Sequence, residues 1–197
     1  MGRIEPVAII GEGITEKYYL QSLKGSQWIR PNYKYYEVTS SSAKGYEDKI
    51  KEAIGDGYTT IYCMFDMDVQ CKDERSHEKY VRLRQRYHNK KKKEIEILFF
   101  ESFPSTEVFF RYYFEYTTAV QTNDGLKHWL RDKVGYDVKE KYFARNPLHD
   151  VFCRNQGCLE GAIRNSIRSV ESREPDNFAC CYTEIGSMIE LLRKQEE

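Results

Sequence analysis

Two carboxylates, Asp66 and Asp68, stand two residues apart directly behind the apolar run Thr59-Thr-Ile-Tyr-Cys-Met-Phe65. Acids so placed suit a divalent cation, because hard cations select carboxylate oxygens. The run is rich in β-branched and aromatic residues and reads as a strand buried on both faces. Asp66 then falls at its carboxyl end, the edge where open α/β sheets bind their ligands. The alternative is that Asp66 is only a turn residue or a helix N-cap.

A second acidic position follows another strand signal. In Glu5-Pro-Val-Ala-Ile-Ile-Gly-Glu-Gly-Ile-Thr-Glu16, residues 7–10 form a short apolar strand closed by Gly11. A helix is expected over 15–23, with Glu16 in its first turn, where the macrodipole favours an acid. Glu12 sits on the connecting turn between Gly11 and Gly13, glycines that permit unusual backbone angles or the close approach of a bulky phosphate ligand. The turn lacks the Gly-Lys-Ser/Thr of a P-loop. A carboxylate there repels a bare phosphate and attracts a phosphate-bound metal. Without the Asp66 and Asp68 site, Glu16 would read as a helix-dipole residue and Glu12 as a solvated turn.

The elements that must position these acids alternate. Strands are expected over 7–10, 33–38, 59–65 and 94–100, and helices over 15–23, 46–54 and 75–87, which predicts an α/β fold with a parallel sheet of about four strands and helices on both faces. After residue 100 the pattern turns helical, over 104–114, 124–134, 157–172 and 183–194. A boundary near Pro104 separates an α/β core (1–103) from a helical cap (104–197) within one folded unit. Right-handed crossovers put all carboxyl ends of parallel strands on one edge. Glu12, Asp66, Asp68 and the turn from Glu101 to Glu107 would therefore share a crevice, and their repulsion calls for Mg²⁺ or Mn²⁺. Asp66 and Asp68 would hold one ion, with Glu12 completing its shell or relaying a proton; Glu16 and Glu107 would hold a second. Pro104 reads as the first residue of a helix with Glu107 in its first turn and Ser102 as a cap or hydroxyl ligand. Glu107 reads almost equally well as a capping acid.

Gly11-Glu12-Gly13-x-Thr15-Glu16 and Asp66-x-Asp68 together resemble the Toprim domain of topoisomerases, bacterial primases and the overcoming-lysogenization-defect nucleases. The segment Phe99-Phe-Glu-Ser-Phe-Pro-Ser-Thr-Glu107-Val-Phe-Phe and the closing Tyr182-Thr-Glu-Ile-Gly-Ser-Met-Ile-Glu-Leu-Leu narrow this to the RloB-like family, over nearly the whole chain. Two positions depart from that family's pattern: Phe103, where it often has Asn, and Val108-Phe109, where it has a Leu-Trp pair. The resemblance implies a Toprim-like Rossmannoid core and metal-dependent cleavage of RNA or DNA in bacterial defence against phage. It implies Glu12, Asp66 and Asp68 as catalytic residues, Gly11, Gly13 and Ser102 as their supports, and it tips Glu107 towards the site. It also leaves room for an ATPase partner protein and a homo-oligomer.

Formal net charge is zero, which argues against wholesale coating of nucleic acid. Yet from 72 to 93 lie ten Lys or Arg against three acids, Asp73, Glu74 and Glu78. Arg82, Arg84, Arg86, Lys90, Lys91, Lys92 and Lys93 are the candidate nucleic-acid contacts, since a basic arm beside a metal site suits a phosphodiester. The competing reading is a solvated helix face with Tyr80, Leu83 and Tyr87 inward and the four lysines guarding the next strand from aggregation. The aromatic run Phe109-Phe-Arg-Tyr-Tyr-Phe114 reads as core before it reads as a base-stacking platform.

No signal peptide and no long apolar span is visible, and six cysteines without a disulfide spacing suggest reduced thiols, so a soluble, cytoplasmic protein with no membrane contact is expected. His149, Cys153, Cys158 and one of Cys180 or Cys181 form a weak zinc candidate without Cys-x-x-Cys pairs. The four histidines lie outside the acidic motifs, and no Gly-x-Ser-x-Gly elbow is present. Besides a nuclease, the acid set admits a primase-like nucleotidyl transferase, or a non-catalytic nucleic-acid-binding or toxin partner.

Overall fold

In a computed structural model, which describes residues 6–29, 32–89, 94–174 and 178–194, the first apolar run forms β1 (Val7–Gly11) at the centre of a sheet. It pairs in parallel with β2 (Tyr33–Glu37) on one side and β3 (Thr60–Asp66) on the other. Next to β3 runs β4 (Glu96–Phe103), also parallel. The order is β2-β1-β3-β4-β5. The fifth, unexpected strand, β5 (Tyr182–Thr183), is only two residues long and pairs antiparallel with the end of β4.

Side-chain alternation divides the core in two. Val7, Ile9, Tyr62, Met64 and Phe100 face α1 (Ile14–Gly25) and the C-terminal helices. Ala8, Ile10, Ile61, Cys63, Phe65, Ile97 and Phe99 face α2 (Ala43–Gly55) and α4 (Glu74–Tyr87). Helices thus cover both faces, as the expected α/β class requires. The crossover from β1 leads outward to β2, whereas the later ones lead the other way to β3 and β4. The strand order therefore reverses between β1 and β3, and the crevice outside that reversal is where doubly wound sheets bind ligands.

Two element boundaries differ from expectation for physical reasons. β4 runs on through Glu101, Ser102 and Phe103, because Glu101 finds buried partners in Tyr80 and Tyr182 and the strand end pairs with β5. Consequently no helix starts at Pro104, which follows a cis peptide bond; α5 (Glu107–Tyr112) begins after Thr106. A short helix, α3 (Met67–Gln70), follows β3 at once. Beyond α5 come α6 (Asn123–Val134), α7 (Glu140–Phe143), α8 (Leu148–Arg154), α9 (Leu159–Glu171) and α10 (Ile185–Lys194).

α5 is the hub of this half, with Phe109, Phe110 and Tyr112 all at 0% exposure. Phe110 stacks obliquely on Tyr19 and Phe152, at centroid distances of 5.0 and 5.2 Å. Truncation in such surroundings leaves a cavity, so Phe110→Ala should cost about 3–5 kcal/mol in urea unfolding. A loss under about 1 kcal/mol would show that this half repacks freely.

Candidate functional site

Glu12 leaves the carboxyl end of β1 and α1 begins two residues later, so the carboxylate stands at the reversal in strand order. Gly11 is required by close approach of a protein side chain: a Cβ there would lie 2.3 Å from the Tyr35 hydroxyl. That hydroxyl donates to the Gly13 carbonyl at 2.9 Å. Gly13 itself has an ordinary extended backbone, with φ −155°. The Gly-Glu-Gly turn is thus clamped by a β2 tyrosine. Glu12 Oε1 accepts from the Tyr46 hydroxyl at 3.0 Å, with Gln70 Nε2 at 3.5 Å. Burial raises its proton affinity, its hydrogen bonds oppose that, and the Asp68 charge adds to it.

Asp66 is the residue before α3, yet its side chain caps no helix. Its Oδ1 reaches across to Thr106 instead, accepting from the backbone N–H at 2.8 Å and lying 3.1 Å from the hydroxyl. The same hydroxyl lies 3.0 Å from Glu16 Oε1. A threonine hydroxyl has one proton to donate. Facing two carboxylates, it satisfies both only if one of them is itself protonated. Burial, and then the surrounding acids, push in that direction: Asp66 is raised well above the ordinary range, and Glu16 is raised to about 7.

Asp68 completes the group from α3. Its backbone N–H donates to the Pro104 carbonyl at 3.1 Å, and Oδ2 accepts from Asn123 at the start of α6. Its Oδ1 is buried without a hydrogen-bond partner. Glu107, 4% exposed, opens α5. It accepts from Ser105 at 2.8 Å and from the Tyr136 hydroxyl at 3.1 Å, and Lys127 Nζ lies 3.9 Å away. The fields of these acids overlap: Glu12, Glu16, Asp68 and Glu107 each raise proton affinity in at least one other member, and Asp66 is raised by Glu16, Glu107 and Glu12. All five expected acids therefore belong to one electrostatic neighbourhood.

Among the described residues, no three Asp, Glu, His or Cys side chains converge closely enough to hold one ion as placed. The donor chemistry nevertheless fits a hard divalent cation. All five groups are carboxylates, Asp68 offers a buried oxygen with nothing bound to it, and Glu16 and Asp66 contend for a single hydroxyl proton. A cation between them would relieve each of these.

Other expectations fall elsewhere. Ser102 neither caps α5 nor takes part in the acid cluster's hydrogen bonds: its hydroxyl pairs with Thr183 at 2.7 Å, because β5 docks there. Glu101 points to the α4 side, where Tyr80, Arg84, Tyr182 and Arg173 surround it. Of the basic stretch, Arg82 pairs with Glu78, Arg84 with Glu101 and Arg86 with Glu47. Lys90, Lys91, Lys92 and Lys93 lie outside the described residues. Of the zinc candidates, Cys153 Sγ lies 3.6 Å from His149 Nε2, but His149 also pairs with Tyr113, Cys158 caps α9 and Cys181 donates to the Ala119 carbonyl, and among the described residues no third metal-ligating side chain joins the first two. Thr106, Asn123, Tyr46, Gln70 and Tyr136 hold the acids and escaped the sequence reading. Only Thr106 had a signal, its place beside Glu107 in Ser-Thr-Glu.

Fold and site together define a doubly wound α/β protein with a carboxylate cluster at its switch point. The match to a model of the RloB-like protein family spans residues 7–192, and the chain belongs to that family. No curated protein and no solved structure gives a significant match. Among the described residues, no helix is long and apolar enough to cross a membrane.

Proposed function

We propose that this chain is a metal-dependent nuclease that hydrolyses phosphodiester bonds of RNA or DNA, with Mg²⁺ or Mn²⁺ held by the five-carboxylate cluster. The observation that carries the reading is the unresolved demand for positive charge at the strand reversal: Asp68 Oδ1 lacks a partner, and Glu16 and Asp66 share one hydroxyl. Asp66 and Asp68 would hold one ion, and Glu16 and Glu107 a second. The bound cation would supply an activated water and charge neutralisation at the phosphoryl oxygens.

The protein's own residues do the rest. Tyr46 and Gln70 orient Glu12, whose buried carboxylate accepts a proton from the attacking water more readily than an exposed one. Thr106 and Asn123 fix Asp66 and Asp68. Lys127 brings a cation to the edge of the cluster beside Glu107, suited to an anionic substrate. The Toprim resemblance supports the same chemistry, and with it a role in cytoplasmic defence against phage and the involvement of an ATPase partner.

One observation favours a second reading, non-catalytic nucleic-acid binding: no three of the acids converge as placed. Incubating purified protein with end-labelled DNA, RNA and nucleoside triphosphates, with Mn²⁺ or with chelator, separates the two. Metal-dependent shortening of a labelled strand is expected. Retention without cleavage would favour the binding module, and strand extension a nucleotidyl transferase.

A further inference from the structure

The three arginines expected to meet phosphates each already hold a carboxylate, and other cations lie along the same face. Two cavities adjoin there, of about 180 and 230 Å³, both lined by Ala43 and Lys79. The first is floored by Gln70, whose Nε2 donates to the Ser41 carbonyl at 3.0 Å and lies 3.5 Å from Glu12 Oε1, so it abuts the acid cluster. Lys72 and Lys79 line it, with Ser41 and Ser42 opposite. The second continues between α2 and α4 past Lys44 and Arg82 to Arg86.

The charge along this double cavity is one-sided. Glu47 is its one acidic lining residue, and Lys51 at 2.7 Å and Arg86 at 2.9 Å neutralise it. Lys44 is tied only to Asp48 in a highly exposed pair, of the kind worth little and readily exchanged for another anion. Lys72 and Lys79 have no ion pair among the described residues. Both lysines lower the proton affinity of Asp73, whose carboxylate is already engaged by Ser76 as the cap of α4. A groove whose end beside the carboxylate cluster carries two cations outside any ion pair among the described residues, Lys72 and Lys79, is what guides a polyanionic backbone to a metal-dependent site. The cavities, of about 180 and 230 Å³, are of a size for the phosphates of one backbone and not for a duplex.

We propose that the cavities between α2, α3 and α4 form a phosphate track that leads a single nucleic-acid strand to the carboxylates, with Lys72 and Lys79 as its principal phosphate contacts. The inference rests on the nuclease reading for the identity of the polyanion. It assigns the contacts to two lysines that the arginine row does not include.

The test measures binding of fluorescein-labelled single-stranded DNA and RNA of about a dozen nucleotides by anisotropy, in chelator so that no strand is cut, over a series of salt concentrations. Both lysines are exposed, so Lys72→Ser with Lys79→Ser leaves the core untouched. The pair of substitutions should flatten the log–log salt slope by about 1.4, roughly 0.7 for each phosphate contact on a single strand. Lys141→Ser with Lys194→Ser, on α7 and α10 beyond the opposite face of the sheet, should leave it unchanged. An unchanged slope in the first variant, or an equal loss in the second, overturns the track even if the wild-type protein cuts nucleic acid with Mn²⁺. Failure of the wild-type protein to bind either strand also overturns the track, whereas the nuclease reading falls only if Mn²⁺-dependent cleavage is absent.

Discussion

In the Asp66→Asn, Asp68→Asn double variant, metal-dependent strand cleavage should fall by about a thousandfold or more while the metal-free protein becomes harder to melt. The loss follows from the proposed roles. Losing a few kcal/mol of cation-mediated charge stabilisation, about 4 kcal/mol, corresponds to roughly a thousandfold in rate. The gain follows from the geometry. Asp66 is enclosed with Glu16, Glu107 and Glu12, all of which disfavour its charge. An amide oxygen in the place of Oδ1 can still accept from the Thr106 N–H, and being neutral it competes less strongly for the Thr106 hydroxyl proton, which is left to Glu16. Removing a repelled buried charge should stabilise by about 1 kcal/mol or more at neutral pH. Residues selected for a charged ligand commonly carry this trade of stability for activity. The checks are cleavage of a labelled strand with Mn²⁺ and melting in chelator. Undiminished cleavage would remove both residues from the centre. A lowered melting point in chelator would show that the two carboxylates hold the fold as structural acids.

The sheet and the five acids were legible because both signals are local. A continuous apolar run such as Val7-Ala-Ile-Ile names a buried parallel strand by itself, and an acid following such a run is placed at the ligand edge by chain direction alone. What holds the acids was not legible. Asn123 reaches Asp68 across 55 positions of sequence, and Tyr46 reaches Glu12 across 34, through packing that no periodicity encodes. β5 escaped because Tyr182-Thr183 is too short to alternate, and its existence depends on β4 continuing past Phe100. That continuation was hidden in turn by Glu101, a charged residue in a strand, which reads as a terminus until Tyr80 and Tyr182 are seen to satisfy it. Ser102 follows the same logic: in a turn it would cap, whereas in a strand it meets Thr183. The basic stretch was visible as composition, but only the fold reveals that Arg82, Arg84 and Arg86 already have carboxylate partners.

Metal-free protein should lose stability as pH rises from about 5 to about 8, and Mg²⁺ should cancel most of that loss. Glu16 is fully enclosed, and its carboxyl is raised from 4.5 to about 7, chiefly by burial and then by Glu107 and Glu12. Below 4.5 it is protonated in folded and unfolded chains alike, so it contributes no pH dependence there. Between 4.5 and 7 the folded state binds the proton more tightly, and stability falls with rising pH. Above 7 the full penalty is present, on the order of 3 kcal/mol for this group taken alone. Asp66, Glu12 and Asp68 shift in the same direction and extend the window. A divalent cation binds the ionised cluster, so its stabilising effect should be small near pH 5 and grow through the window where the metal-free protein weakens. Glu184, also raised to about 7 by burial and by Glu101, slopes the same way without belonging to the cluster. Glu16→Gln separates the two contributions, since it should remove the Glu16 share of the slope and leave that of Glu184. Melting temperatures at several pH values, with Mg²⁺ and with chelator, test this for both proteins. Stability that rises from pH 5 to 8 in chelator would mean that the five carboxylates are ionised and satisfied without a cation, and would end the case for a metal at the switch point.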